Sequence, residues 1–379
     1  MARLFPPATA AGMLVAAALA ACCVEDASPA AGIDEGEITV DTSTPEARRQ
    51  YDANVAFASR YVARCLAAPA PSARPRVLVT GFGRFMSIAN NATGRIVSTL
   101  VPEARYPETR SPAWGEVDAP EPQLSVALST IDLPGVGAVD VCAMILPVYW
   151  DLAAVLIAKE ADAFKPSFVM MNGVAGGRQP LWLELGATNR AAINVDGSNQ
   201  LRPAPAPGEA YAKIIEDAAE SEDARGNLLS WRAALGAARE AVARHEGEID
   251  GGAAFEDVVR GVSLAGFPRA SNTYLCNNVT YVTGWLMNHP GREVRLLRAS
   301  TPIRDRENDV RVKLTADLGA VPRVFVHWPS ELDDKHHDAA ADVMKAILAA
   351  QLTALRDGDA PTLGDSALAD PRLEGGVFF

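Results

Sequence analysis

AVDVCAMILPVYWDLAAVLIAKEADAFKPSFVMMNGVAGGR (Ala138–Arg178) holds an apolar run, a longer alanine- and leucine-rich stretch, and a second apolar run that breaks at glycines. The first run, over 139–148, reads as a buried strand. The stretch from Asp151 is too long for a strand and reads as a helix that ends before Pro166. SFVMMNGVAGGR reads as a further strand leading into a glycine turn. Strand, helix and strand in this order imply a parallel sheet with right-handed crossovers.

The same pattern extends outward. RVLVTGF (76–82) is a buried strand, EVRLLRAS (293–300) and RVFVHWP (323–329) are candidate strands, and HHDAAADVMKAILAAQLTALRD (336–357) is a terminal amphipathic helix. The fold class is therefore α/β with a mostly parallel sheet. Residues 203–262 interrupt the pattern with an acidic, alanine-rich stretch that reads as mostly helical, part crossover and part insertion. No internal repeat is present.

Of the 379 residues, 49% are hydrophobic and 22% charged, which allows a large buried core. The net charge of −12 argues against nucleic acid as a partner, since phosphate binding needs a basic surface. MARLFPPATAAGMLVAAALAACC (1–23) has Arg3, an apolar stretch and small residues before cysteine, the layout of a secretory signal over 1–21. Leu19-Ala20-Ala21-Cys22 resembles a bacterial lipobox, in which Cys22 would carry the lipid. The expectation is an exported protein tethered to a membrane surface, on the periplasmic or cell-surface side. Residues 22–75 read as a tether followed by a helical extension that begins near Ser43 or Thr44, with APAPSARP (68–75) as a linker. The domain proper runs over 76–379. Cys65 and Cys142 read as buried, inert thiols, with a bridge between them the open alternative.

VLVTGFGRF (77–85) raises the question of a nucleotide loop. The third glycine of a dinucleotide fingerprint is missing, and no Gly-Lys-Ser/Thr follows. The two phenylalanines suggest an apolar wall instead. In SNTYLCNNVTYVTGWLMNH, helical spacing places a helix start near Asn277, with Cys276 at its N-terminus. There the helix dipole and free N–H groups favour a thiolate and can hold an oxyanion. His327 closes a strand, where open α/β sheets place their chemistry. Glu184, in the alternating segment after the glycine turn, could orient a histidine. Each of the three also has a bland reading: a junction cysteine, a structural histidine, a surface glutamate on an edge strand. HWPSELDDKHHD gathers His327, Asp333, Asp334, His336 and His337, but His336 and His337 are adjacent and lack the spacing of a helical metal pair.

Taken together, these segments resemble the pyroglutamyl peptidase I family (pyrrolidone-carboxylate peptidases), which are cysteine peptidases. The resemblance rests on VTGFGRF (79–85), Asn91 nine residues after Phe82, LPVYW (146–150), KPSFVMMNGVAGGRQPLWLE (165–184), TYLCN (273–277) and VFVHWP (324–329), in order. It implies a three-layer α/β/α sandwich with a twisted, mostly parallel sheet. It implies Cys276 as nucleophile, His327 as general base and acid, and Glu184 as the orienting carboxylate. Phe82 and Phe85 would line a slot for the pyrrolidone ring, with Tyr274 and Leu275 beside them and Asn91 organising the pocket. The substrate would be a small peptide with an N-terminal pyroglutamyl or related residue, and neither metal nor cofactor would be needed. The chain departs from the family pattern in RASNTYLC (269–276), at Leu185 and at Val174. The alternative is a catalytically inactive small-ligand-binding lipoprotein on the same scaffold.

Overall fold

Strands covered on both faces need apolar side chains on both, so the middle of a buried sheet reads as unbroken apolar runs rather than as alternation. In chain order the strands of the main sheet are β1 (Arg76–Phe82), β2 (Ser125–Leu133), β3 (Gly137–Leu146), β4 (Phe168–Ala175), β5 (Gln179–Glu184), β6 (Val259–Ala265) and β7 (Arg323–Pro329). The principal helices are α1 (Pro45–Arg60), α2 (Ala92–Leu100), α3 (Leu152–Phe164), α4 (Trp231–Arg244), α5 (Leu275–Asn288) and α6 (His337–Arg356). The structure is a computed structural model that describes residues 45–67, 74–85, 88–107, 122–192, 194, 196–197, 211–247, 253–266, 272–297, 310–368 and 377–378. The expected signal segment, Cys22 and the tether up to residue 44 lie outside the described residues.

β1 lies between β3 and β4, parallel to both, and β7 continues the parallel set beside β4. β5 pairs antiparallel with the far side of β7, β6 runs parallel to β5, and Val377–Phe378 pairs beyond β6. β2 pairs antiparallel with β3 at the other edge. The sheet is thus mostly parallel and mixed toward its edges. α2, α4 and α6 bury one face of it with Val77, Val79, Val324 and Val326. α3, α5 and the end of α1 bury the other face with Leu78, Met171 and Phe325. Two helical layers on one sheet make the three-layer α/β/α architecture. The chain winds from β1 outward to β3, then returns through α3 to β4 on the other side of β1. Such a reversal opens a crevice at the carboxyl ends of the strands.

Three local expectations change. EVRLLRAS supplies only a short strand, Val294–Leu296, which pairs with Val310–Val312 outside the main sheet. Within 203–262 the described residues hold one long helix, α4, together with short strands and the start of β6, so the segment is less helical than its alanine content suggests. Cys65 and Cys142 are joined in a disulfide, with their Cα atoms 5.8 Å apart. The cause is local. Glu160 on α3 is fully buried and accepts hydrogen bonds from the Arg64 N–H at 2.9 Å, the Cys65 N–H at 2.8 Å and the Tyr61 hydroxyl. Lys159 Nζ donates to the Ala58 and Tyr61 carbonyls at the end of α1. Together these contacts press the chain after α1 against α3 and bring Cys65 onto β3.

Candidate active site

α5 starts at Leu275, two residues earlier than the spacing alone places it, so Cys276 is its second helical residue. Tyr274 precedes the helix in an extended conformation, and no side chain caps it. The Asn278 N–H closes the first turn on the Tyr274 carbonyl at 3.0 Å. The N–H groups of Leu275, Cys276 and Asn277 therefore have no intrahelical acceptor, at the end of the helix that carries partial positive charge. The two asparagines after the cysteine anchor this end. Asn277 donates to the Thr188 and Arg190 carbonyls, both at 2.8 Å, and accepts from the Thr188 N–H at 2.9 Å. Asn278 donates to Asp151 Oδ1 at 3.0 Å, while Asp151 Oδ2 accepts from the Leu297 N–H at 3.0 Å.

Gly173 on β4 is the register partner of His327 on β7. A Cβ at Gly173 would fall 2.9 Å from Cys276 Sγ and 2.7 Å from the Phe325 ring. The thiol thus occupies the space a side chain would need at 173, on the face of the sheet that carries His327. His327 Nδ1 lies 2.5 Å from Glu184 Oε1, and both side chains are 1% exposed. The opposite ring nitrogen, Nε2, is buried and has no hydrogen-bond partner. β5 is internal, between β6 and β7, so Glu184 is not the surface glutamate of an edge strand. The structure pairs His327 with Glu184 and sets Cys276 Sγ over Gly173, the strand partner of His327. Cys276 is not in a disulfide and keeps 8% of its surface exposed.

Strand periodicity supplies the walls. Phe325 lies two residues before His327 and Trp182 two before Glu184, so all four side chains share one face. The Phe325 ring is centred 4.8 Å from the imidazole and the Trp182 ring 6.3 Å from it, edge on. These two rings and Gly173 were missed in the sequence. The i−2 positions of His327 and Glu184 were the signal available for the rings.

The expected pocket residues divide into two groups. Phe85 and Tyr274 meet with ring centroids 5.9 Å apart, and Trp150 packs edge on against Tyr274 at 5.0 Å. Trp150 also holds Asn194 and Asp196: its backbone N–H donates to Asp196 Oδ2 at 2.8 Å and its indole N–H to the Asn194 carbonyl at 2.7 Å. Phe82 and Leu275 are buried at 3% and 1% exposure and pack in the apolar core under this wall. Asn91 is the N-cap of α2. Its side-chain oxygen accepts from the Thr93 N–H and hydroxyl at 3.2 and 2.8 Å, and the Thr93 hydroxyl accepts from the Phe82 N–H at 3.1 Å. Asn91 therefore reaches the wall through the backbone of Phe82. Gly81 serves the same junction, since a Cβ there would lie 2.4 Å from the Thr93 carbonyl oxygen.

The residues of HWPSELDDKHHD do not converge. His327 is engaged by Glu184, while His336 contacts Asp333 through Nδ1 at 2.9 Å and the Ala253 carbonyl through Nε2 at 2.9 Å. Among the described residues, the group close enough to share an ion is Cys65, Cys142 and Glu160, and two of these are bonded to each other.

No family model matches the chain, and no curated protein matches it. Solved structures do. A mutant pyrrolidone carboxyl peptidase from the hyperthermophile Pyrococcus furiosus is similar at 17% identity and a TM-score of 0.43, over 74% of this chain and 99% of that one. A further structure of the Pyrococcus furiosus peptidase is similar at 16% identity and a TM-score of 0.44, over 74% of this chain and 99% of that one. Pyroglutamyl peptidase I of Bacillus amyloliquefaciens is similar at 13% identity and a TM-score of 0.44, over 74% of this chain and 98% of that one.

Proposed function

We propose that this protein is an exported thiol hydrolase that removes an N-terminal pyroglutamyl or related residue from small peptides. The observation that carries the reading is Cys276 Sγ seated over Gly173, the strand partner of a histidine whose Nδ1 is held by Glu184. Nδ1–H donates to the carboxylate, which leaves Nε2 as the atom that accepts the thiol proton. The Cys276 thiolate attacks the acyl carbonyl, and N–H groups at the start of α5 receive the negative charge that develops on oxygen. The imidazolium gives its proton to the departing amine, and the acyl group remains as a thioester. Water, deprotonated by His327, then releases the acid and the free thiol. Phe85, Tyr274 and Trp150 present an apolar wall suited to a flat lactam ring, above Phe82.

A disulfide between Cys65 and Cys142 suits an oxidising compartment and so supports export. Lipidation at Cys22 would keep the enzyme at a membrane surface. The test is hydrolysis of a fluorogenic pyroglutamyl amide by residues 46–379 beside Cys276→Ala. Turnover that disappears in the variant is the expected result. An intact fold with no turnover and a Cys276 inert to alkylation near neutral pH would instead leave a small-ligand-binding lipoprotein on this scaffold.

A further inference from the structure

Asp151 has φ 57° and ψ −35°, a conformation that crowds the Cβ of an L-residue and lies outside the small left-handed helical well. Such a backbone persists only where surrounding contacts impose it, and it concentrates at functional sites. Asp151 is the N-cap of α3, where an aspartate ordinarily accepts from the N–H groups of its own helix. Its side chain makes no such bond. The carboxylate is buried and serves two other elements instead. Oδ1 accepts from Asn278 Nδ2 on α5 and Oδ2 from the Leu297 N–H, both at 3.0 Å. Leu297 also has a positive φ, 53°. Strain at two residues thus meets in one hydrogen-bonded joint.

The joint lies between the two halves of the candidate site. On one side Trp150, the chain neighbour of Asp151, packs edge on against Tyr274 in the aromatic wall. On the other, Asn278 stands two residues after Cys276, and its own N–H closes the first turn of α5 on the Tyr274 carbonyl. The Asn278 side chain is fully buried, and its oxygen has no hydrogen-bond partner. A buried acceptor left unmet costs stability, so an amide is a poor choice here for packing alone. What this amide does supply is the bond to Asp151.

We propose that Asp151 is a positioning residue for the hydrolysis inferred above, and the role rests on that reading. Through Asn278 it fixes the start of α5, and through Trp150 it fixes the aromatic wall. Thiol and acyl slot thereby keep one separation. A lactam ring seated on the wall then has its carbonyl at Cys276 Sγ and beside the free N–H groups of the helix start. Loosening the joint leaves the ring its wall but moves the thiol, so the loss falls on kcat rather than on KM.

The experiment uses the full chain. It reads the rate at which iodoacetamide alkylates Cys276 at neutral pH, followed on the peptide that carries it, and kcat and KM for the pyroglutamyl amide. Asn278→Ala cuts the link, keeps the Asp151 charge and puts a better helix former into α5. It should lower kcat on the order of 10- to 100-fold, leave KM within about threefold and slow alkylation. Asp151→Asn should act in the same direction, because its one oxygen cannot serve both donors. Combining Asp151→Asn with Asn278→Asp restores both hydrogen bonds with donor and acceptor exchanged, and should recover kcat and the alkylation rate relative to Asp151→Asn alone. Folded Asn278→Ala with both rates unchanged, or an exchanged pair no better than Asp151→Asn, would overturn the role. A parent protein that alkylates readily but does not hydrolyse the amide would sink the pyroglutamyl reading, and the alkylation rates would then decide the role by themselves. A parent thiol inert to iodoacetamide would overturn both.

Discussion

At the scale of single residues, one missing methyl group sets the site. Gly173 leaves the volume that Cys276 Sγ fills, and a Cβ there would also meet the Phe325 ring. Neither neighbour yields easily, since Phe325 is 1% exposed and the sulfur is fixed by the helix behind it. Gly173→Ala should therefore destabilise the fold by about 1–3 kcal/mol through overpacking. It should also displace the thiol from His327, and a shift of about 1 Å in a reacting group costs on the order of 100-fold in rate. Denaturant titration and the peptide-amide assay read the two effects separately. A variant that loses stability but keeps full turnover would show that the thiol does not act from this position.

At the scale of elements, helix ends carry much of the architecture. Asn91 caps α2 and, through Thr93, fixes the backbone of Phe82. Asn91→Ala should cost about 1 kcal/mol, the usual loss for a side-chain cap, and raise KM more than it lowers kcat. α6 begins with His337, whose pKa is pushed below the ordinary 6.5 by burial, with Arg95 and His336 acting in the same direction and Asp334 and Asp333 against it. The folded protein therefore binds this proton less readily than the unfolded chain. The stabilisation is fully present above about pH 6.5 and is lost as pH falls toward the depressed folded value. Tm should drop through this window, and His337→Gln should flatten that part of the profile.

At the scale of the whole molecule, the disulfide ties the α1 extension to the sheet across a sequence separation of 77 residues. Closing a loop of that length removes entropy from the unfolded chain worth about 4 kcal/mol. Unfolding with and without reductant should show a loss of this order, and the double variant Cys65→Ala, Cys142→Ala should behave like the reduced protein in both conditions. Glu160 and Lys159 still hold the extension in the folded state. The reduced protein should therefore keep its near-ultraviolet signal at low temperature and lose only its margin against denaturant. Cys276 should react with thiol reagents to the same extent in either state.

The layered α/β class was legible because it is written locally. Apolar runs of strand length, a helix of known length between them and proline and glycine at the junctions need no distant partner to be read. The place of Cys276 at a helix start was legible for the same reason, within two residues. What the sequence could not contain is adjacency between strands far apart in the chain. That Glu184 lies inside the sheet, within reach of His327, follows from β5 pairing antiparallel with β7, and a burial pattern says nothing of which neighbour a strand finds. The same holds for Gly173, whose missing side chain matters only because a helix a hundred residues later lays a sulfur across it. Cys65 and Cys142 read as inert thiols until Glu160 drew the chain before β1 onto α3. Local pattern determined what each segment is. Tertiary packing decided which side chains meet, because that choice minimises buried, unpaired charge and empty volume across the whole molecule at once.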